Sequence, residues 1–164
     1  MKDIAIGLLM VLFLSVLVEP LVELANVMRE KIILGSALSN ACTAAKDRSL
    51  EYKGQRDLDA NVDFALFKDY FSEAFEDALN VTRTPSVGDT MIFTSNDGKY
   101  NTFTVTLEIT SKIDISTGKN VTEGKVRAES PYKFKTKYLK LAEGVSSVDY
   151  NLASERMFLL MVRN

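Results

Sequence analysis

The chain has 164 residues, 46% of them apolar and 26% charged, which fits one globular domain with an appendage and excludes a disordered class. Its net charge of −2 offers no global attraction to nucleic acid or to an anionic surface. With no histidine and a single cysteine, Cys42, it cannot close an internal disulfide and lacks the commonest metal ligand and the commonest general base, so neither an enzyme nor a cofactor is expected. The charge is uneven: residues 1–52 carry 5 basic and 6 acidic groups, residues 53–82 carry 3 and 7, and residues 83–164 carry 12 and 9. The middle is therefore acidic and the C-terminal part mildly basic.

Residues 4–18, IAIGLLMVLFLSVLV, hold no charge, and apolar character resumes after Glu19 with Pro20, Leu21 and Val22. As a helix rising about 1.5 Å per residue, this run just spans a hydrocarbon core of about 30 Å. A signal peptide has a similar apolar length, but the small-residue cleavage pattern is missing and helical periodicity continues through the following residues. Apolar or small residues recur at Leu21, Leu24, Ala25, Met28, Ile32, Gly35, Leu38, Ala41, Cys42 and Ala45, a spacing that predicts one amphipathic stripe, with Glu23, Arg29, Glu30, Asn40 and Lys46 on the wet side. The expected element is a single helix over about residues 2–52, roughly 75 Å long, far more than so small a domain needs for its own core. Pro20 predicts a kink or a short melted stretch. Gly7 and Ser15 suit close approach of helices. Cys42, flanked by Ala41 and Ala44 with no histidine to activate it, reads as a packed thiol.

Residues 54–61 predict a loop that supplies Asp59 or Asn61 as an N-cap. A second helix is expected over about residues 62–79, with Val62, Leu66, Phe67, Tyr70, Phe71, Phe75, Ala78 and Leu79 inward and Asp63, Lys68, Asp69, Glu73, Glu76 and Asp77 outward. That acidic face is either solvated or set against the basic C-terminal region of the same or another subunit. Beyond Pro85 the period becomes two. Met91, Ile92 and Phe93 lead into Asn96, Asp97 and Gly98, a hairpin signal, and then into a half-buried strand over residues 101–113, with Phe103, Val105, Leu107 and Ile109 on one side and threonines and Glu108 on the other. Gly118 and Lys119 mark a turn, and residues 125–130 pair back before Pro131. Tyr132, Phe134, Thr136 and Tyr138 share one side of a predicted strand with Lys133, Lys135 and Lys137 opposite, an arrangement that sets the rings away from the lysines and disfavours nucleic acid. Residues 157–162 are apolar on both faces and are expected inside the sheet or under a helix. Four or five antiparallel strands with a helix across them make an α+β fold, divided as a helix over residues 1–52 and a head over residues 53–164. Asn80-Val81-Thr82 and Asn120-Val121-Thr122 match the glycosylation acceptor pattern.

An uncharged apolar run, then Pro20, then an amphipathic continuation into a small sheet domain resembles the type IV pilin-like superfamily, which includes pseudopilins and TadE-like subunits. The chain carries Ala5 where such proteins often have a glutamate, with Asp3 the nearest carboxylate, and it has neither a leader ending in glycine nor a C-terminal cysteine pair. Either Met1 follows a removed leader or the chain is not processed in that way. The resemblance implies the structural subunit of an extracellular helical filament, held in the cytoplasmic membrane before assembly, with copies of itself and a membrane assembly machinery as partners. Polymerisation would then rest on Lys2, Asp3, Gly7, Phe13, Glu19 and Pro20, with a carboxylate among packed apolar helices paired to a neighbour's amine. The alternative is a single-pass membrane protein whose extracytoplasmic α+β module binds a partner in a secretion or conjugation apparatus. A tethered module of that kind ordinarily has a flexible linker, and none lies between Val22 and Tyr52.

Overall fold

The computed structural model describes residues 2–51, 61–86, 88–113, 120–143 and 150–160. The expected loop at 54–60, the turn at Gly118 and Lys119 and the last residues of the apolar run, 161–162, lie outside the described residues. Helix α1 spans Lys2–Ser49 and leads into β1 (Leu50–Glu51), which pairs antiparallel with β2 (Asn61–Val62). Then come α2 (Phe64–Leu79), β3 (Val81–Thr84), β4 (Thr90–Ser95), β5 (Phe103–Ile113), β6 (Asn120–Pro131), α3 (Lys137–Glu143) and β7 (Asn151–Leu160). Strands β3 to β7 form one five-stranded sheet in sequence order, every pair antiparallel, with α1 and α2 against it. The expected α+β class is the one observed.

Period-two alternation builds the sheet's inner face. Met91 and Phe93 of β4, Phe103, Val105 and Leu107 of β5, and Val126 and Ala128 of β6 are buried, and the register sets Phe93 opposite Phe103, Val105 opposite Ala128 and Leu107 opposite Val126. The outer face is polar, with Thr104, Glu108 and Thr110 exposed and Lys125 paired to Glu155 at 3.3 Å.

Helix α2 starts at a different cap from those expected. Asp63, placed by periodicity on the wet side, is the N-cap, its carboxylate accepting from Ala65 N at 2.9 Å and Leu66 N at 3.1 Å. Asn80 ends the helix in the left-handed conformation, φ 53°. The buried ridge is Phe67, Phe71, Phe75 and Leu79 at four-residue steps, while Leu66 and Ala78, expected inward, are exposed. Phe75 reaches the sheet, its ring 4.9 Å from that of Phe93 and edge-on to Phe103 at 5.9 Å. Ala37, Ala41 and Ala45 of α1 recur at the same four-residue step and are buried, small enough to let α2 approach closely. The acidic face of α2 is largely solvated, with Asp69, Glu73 and Asp77 exposed, and it meets the C-terminal region at Arg83 of β3, which pairs with Asp69 at 3.5 Å, while Glu73 pairs with Arg48 of α1 at 3.0 Å.

Some expectations hold in part and others are corrected. The hairpin expected at residues 96–98 is present, β4 pairing antiparallel with β5, but it is wide: β4 stays bonded to β3 through Asn96 N to Asn80 O at 3.1 Å and pairs with β5 only from Phe93 opposite Phe103. Asp97 instead closes a local turn, accepting from Lys99 N at 2.9 Å, and Gly98 supplies the positive φ of 65° that this turn requires. Residues 132–135 form no strand, since after the bond from Tyr132 N to Tyr150 O at 2.6 Å the ladder stops, and helix α3 follows where a strand was expected. Strand β7 is an edge of the sheet and lies under α1 as one of the two expected settings had it, but only one of its faces is covered: Phe158 is half-buried, lying over Gly124, its cross-strand partner, while Met157, on the polar outer face opposite Lys125, is exposed. Finally, of the kink or melted stretch expected at Pro20, the melted stretch is absent: α1 stays helical through it, since one missing hydrogen bond is outweighed by the unbroken turns on either side.

Candidate assembly surface

Helix α1 has three stretches of different character along its length. Residues 4–18 are exposed on every side. From Ile33 onward the helix is built into the head, with Leu34, Ala37, Leu38, Ala41, Cys42 and Ala45 all buried. Between these stretches the two faces differ. One face carries Glu23, Val27 and Glu30 against the head, while the other presents Leu21, Leu24, Met28 and Ile32, each 53% exposed or more. At about 100° per residue these two sets lie on opposite sides of the helix.

This geometry splits the single stripe expected from periodicity. From Ile32 to Gly35, Leu38 and Ala41 the steps are all of three residues, and each turns back about 60°, so the series travels about half way round the helix. Its N-terminal members are exposed and its C-terminal members buried. The true buried line, continued towards the N-terminus from Ala41 and Leu34, lands on Glu30, Val27 and Glu23. Both glutamates, expected on the wet side, are therefore inside.

Glu23 is only 3% exposed and is saturated with donors. Its Oε1 accepts from the Tyr132 hydroxyl at 2.6 Å and from Lys135 N at 3.0 Å, and its Oε2 from Thr136 N at 2.8 Å. Two turns further on, Glu30 pairs with the Lys135 ammonium. Desolvation opposes the charge on Glu23, but the bonds from Tyr132, Lys135 and Thr136 outweigh it, holding the carboxyl below the ordinary glutamate range. The same contact and its own desolvation push the Tyr132 hydroxyl upward. Lys135 thus ties the extended segment after β6 to α1 twice, once through its backbone and once through its side chain. Period-two alternation did place Tyr132 and Phe134 on one side, and both are buried. No sequence signal marked their partner, because a glutamate on a helix reads as solvated unless its position on the buried line is weighed above its charge.

The other residues singled out in the sequence take these places. Asp3, Gly7 and Phe13 lie on the fully exposed run; Phe13 is 64% exposed, and a Cβ added at Gly7 would meet nothing. Asp3 and Gly7 continue the exposed line through Leu14 to Leu21, Met28 and Ile32 by steps of seven and four. Glu19, half-buried and already partnered within the chain, sits one turn before Glu23 on the head side, and Pro20 is exposed. Lys2 opens the helix. The structure thus brings none of these six residues into one cluster; it strings them along α1. Cys42 lines a shallow cleft with Ser39, Lys46, Arg156 and Phe158, and burial pushes its thiol up to about 12, in keeping with a packed group. Asn80 of the first acceptor motif is exposed at the α2 C-cap, and Asn120 of the second opens β6.

By length and composition α1 is the one helix among the described residues able to cross a membrane. No family model, characterised protein or solved structure matches the chain. The long N-terminal apolar helix with an antiparallel sheet is compatible with the pilin-like layout.

Proposed function

We propose that this chain is the structural subunit of an extracellular helical filament, anchored in a membrane by residues 4–22 before assembly and packed helix to helix with its own copies afterwards. The observation that carries this reading is the reach of the exposed apolar face. It extends from Ile4 to Ile32, roughly 43 Å of helix, against a hydrocarbon core of about 30 Å. A bilayer covers the first part. Leu24, Met28 and Ile32 stand beyond it, on the face turned away from the head, and need a cover of another kind.

Identical helices supply that cover. Assembly exchanges lipid for neighbouring α1 helices, keeping apolar surface out of water at each stage, and contacts that do not close on themselves propagate a fibre. Asp3 and Gly7 share the contact line, Phe13 flanks it, and the N-terminal amine or Lys2 of one subunit neutralises Asp3 of the next. The role is structural rather than catalytic. A flexibly tethered binding module fits less well, because α1 enters the head without a linker and is clamped to it at Glu23.

Negative-stain microscopy of material sheared from cells expressing the chain, with mass spectrometry of its N-terminal peptides, tests the reading. Thin uniform fibres that retain the apolar run are expected. Membrane-bound monomer without fibres would contradict it.

A further inference from the structure

Helix α3 stands where the membrane-spanning run ends. Glu23 follows directly on Val22, and its carboxylate is bonded to the backbone of Lys135 and Thr136, one residue before α3 begins at Lys137. The course of β7 agrees. Gly35 of α1 lies beside Ser154, a Cβ there standing 3.5 Å from its hydroxyl, and Cys42, two turns on, shares its cleft with Phe158, so strand and helix ascend together. Helix α3 and the start of β7 therefore lie towards the N-terminal end of α1, at the base of the head.

The exposed side of α3 has a defined chemistry. Lys137, Lys140 and Leu141 occupy i, i+3 and i+4 positions and so share one face; all three are exposed, Leu141 by 60%, while Leu139 packs on the core from the other side. Arg29 and Lys31, one to two turns above Glu23 on α1, are also exposed. Of the carboxylates at this level, Glu23 and Glu30 are both buried and bonded, Glu19, half-buried one turn below Glu23, is already partnered within the chain, and Glu143 closes α3 as that helix's one acidic residue against its two lysines. An apolar side chain between two lysines with flexible stems, level with the end of a transmembrane helix, matches a bilayer interface, where the leucine enters the acyl boundary and the ammonium groups reach anionic headgroups.

We propose that α3 is a membrane seat: while residues 4–22 are inserted, its Lys137, Lys140 and Leu141 face docks on anionic lipid headgroups and holds the head upright on the bilayer. The seat rests on insertion of the anchor and is independent of polymerisation. Each lysine near an anionic surface shifts the docking equilibrium about fivefold.

The test uses the full chain with Cys42→Ala and a spin label at Leu141→Cys, reconstituted into phosphatidylcholine vesicles with or without phosphatidylglycerol. The expected result is a several-fold loss of access to a water-soluble nickel chelate only when phosphatidylglycerol is present, abolished by Lys137→Glu with Lys140→Glu. A label at Leu12→Cys reports the anchor, and it should be open to oxygen and closed to the chelate in both vesicles. Equal access at position 141 with and without phosphatidylglycerol, while Leu12 is lipid-buried, would overturn the seat and leave the anchor standing. A chelate-accessible Leu12 would overturn both.

Discussion

The two faces of α1 between Leu21 and Ile32 share one backbone and have opposite fates. One face carries two glutamates and is buried; the other carries leucine, methionine and isoleucine and is exposed. The inversion shows that burial here follows the availability of partners rather than side-chain polarity. The segment at residues 132–136 offers a hydroxyl, two backbone N–H groups and an ammonium, and carboxylates satisfy these donors as an apolar side chain could not. The opposite face is covered by nothing among the described residues, which is why the proposed function gives it to copies of the chain.

The widest separation between the faces should come from a charge on the exposed one. Met28→Glu leaves the head folded, shifting its stability by less than about 0.5 kcal/mol as surface changes do, and abolishes fibres, because a carboxylate amid packed apolar helices costs several kcal/mol. Fibre yield in sheared fractions and thermal unfolding in detergent measure the two effects. The converse is Phe75→Ala, at a ring fully buried between α2 and the sheet, which should cost about 3–5 kcal/mol of head stability in denaturant unfolding.

Next in size is the clamp. Glu23→Gln keeps the shape and removes the charge, and should cost about 1–3 kcal/mol. Because the folded-state carboxyl of Glu23 is depressed below its unfolded value, its contribution is fully present above the unfolded value and fades as pH falls through the folded one. Unfolding midpoints followed into the acid range should therefore converge for wild type and Glu23→Gln, and a constant gap would contradict the charged clamp. The smallest effect expected is that of Gly124→Ala. Its methyl group meets the Phe158 ring, which must swing away from Gly124 and from its stack on Phe67 at 5.3 Å, at a cost of about 1–2 kcal/mol.

Periodicity was enough to read the α+β class, the long first helix, the aromatic ridge of α2 and the inward and outward sides of β5. Each of these depends on which side a residue faces within one element, and a repeat of two or of three to four states that directly. What escaped depends on pairing between elements. Glu23 and Glu30 look solvated until the donors at residues 132–136 are in place, and β7, expected inside the sheet or under a helix, looks buried on both faces until α1 is seen to cover only one. Asn96, Asp97 and Gly98 mark the hairpin between β4 and β5 but not its width, which follows from β3 holding β4 to its end. Among the six residues proposed for assembly, the line joining Asp3 and Gly7 to Met28 was present in the spacing, yet it was hidden by a stripe that drifted round the helix.

The most direct test of the central claim places a photoreactive benzoylphenylalanine at Met28, with Asp77 on the exposed side of α2 as the control position, and irradiates sheared material. The filament account requires a ladder of covalent multimers from Met28, with cross-linked peptides mapping to α1 of a neighbour, and monomer from Asp77. Adducts of Met28 with lipid alone, and no cross-linked subunits, would mean that a bilayer rather than a second helix covers this face, and would contradict it.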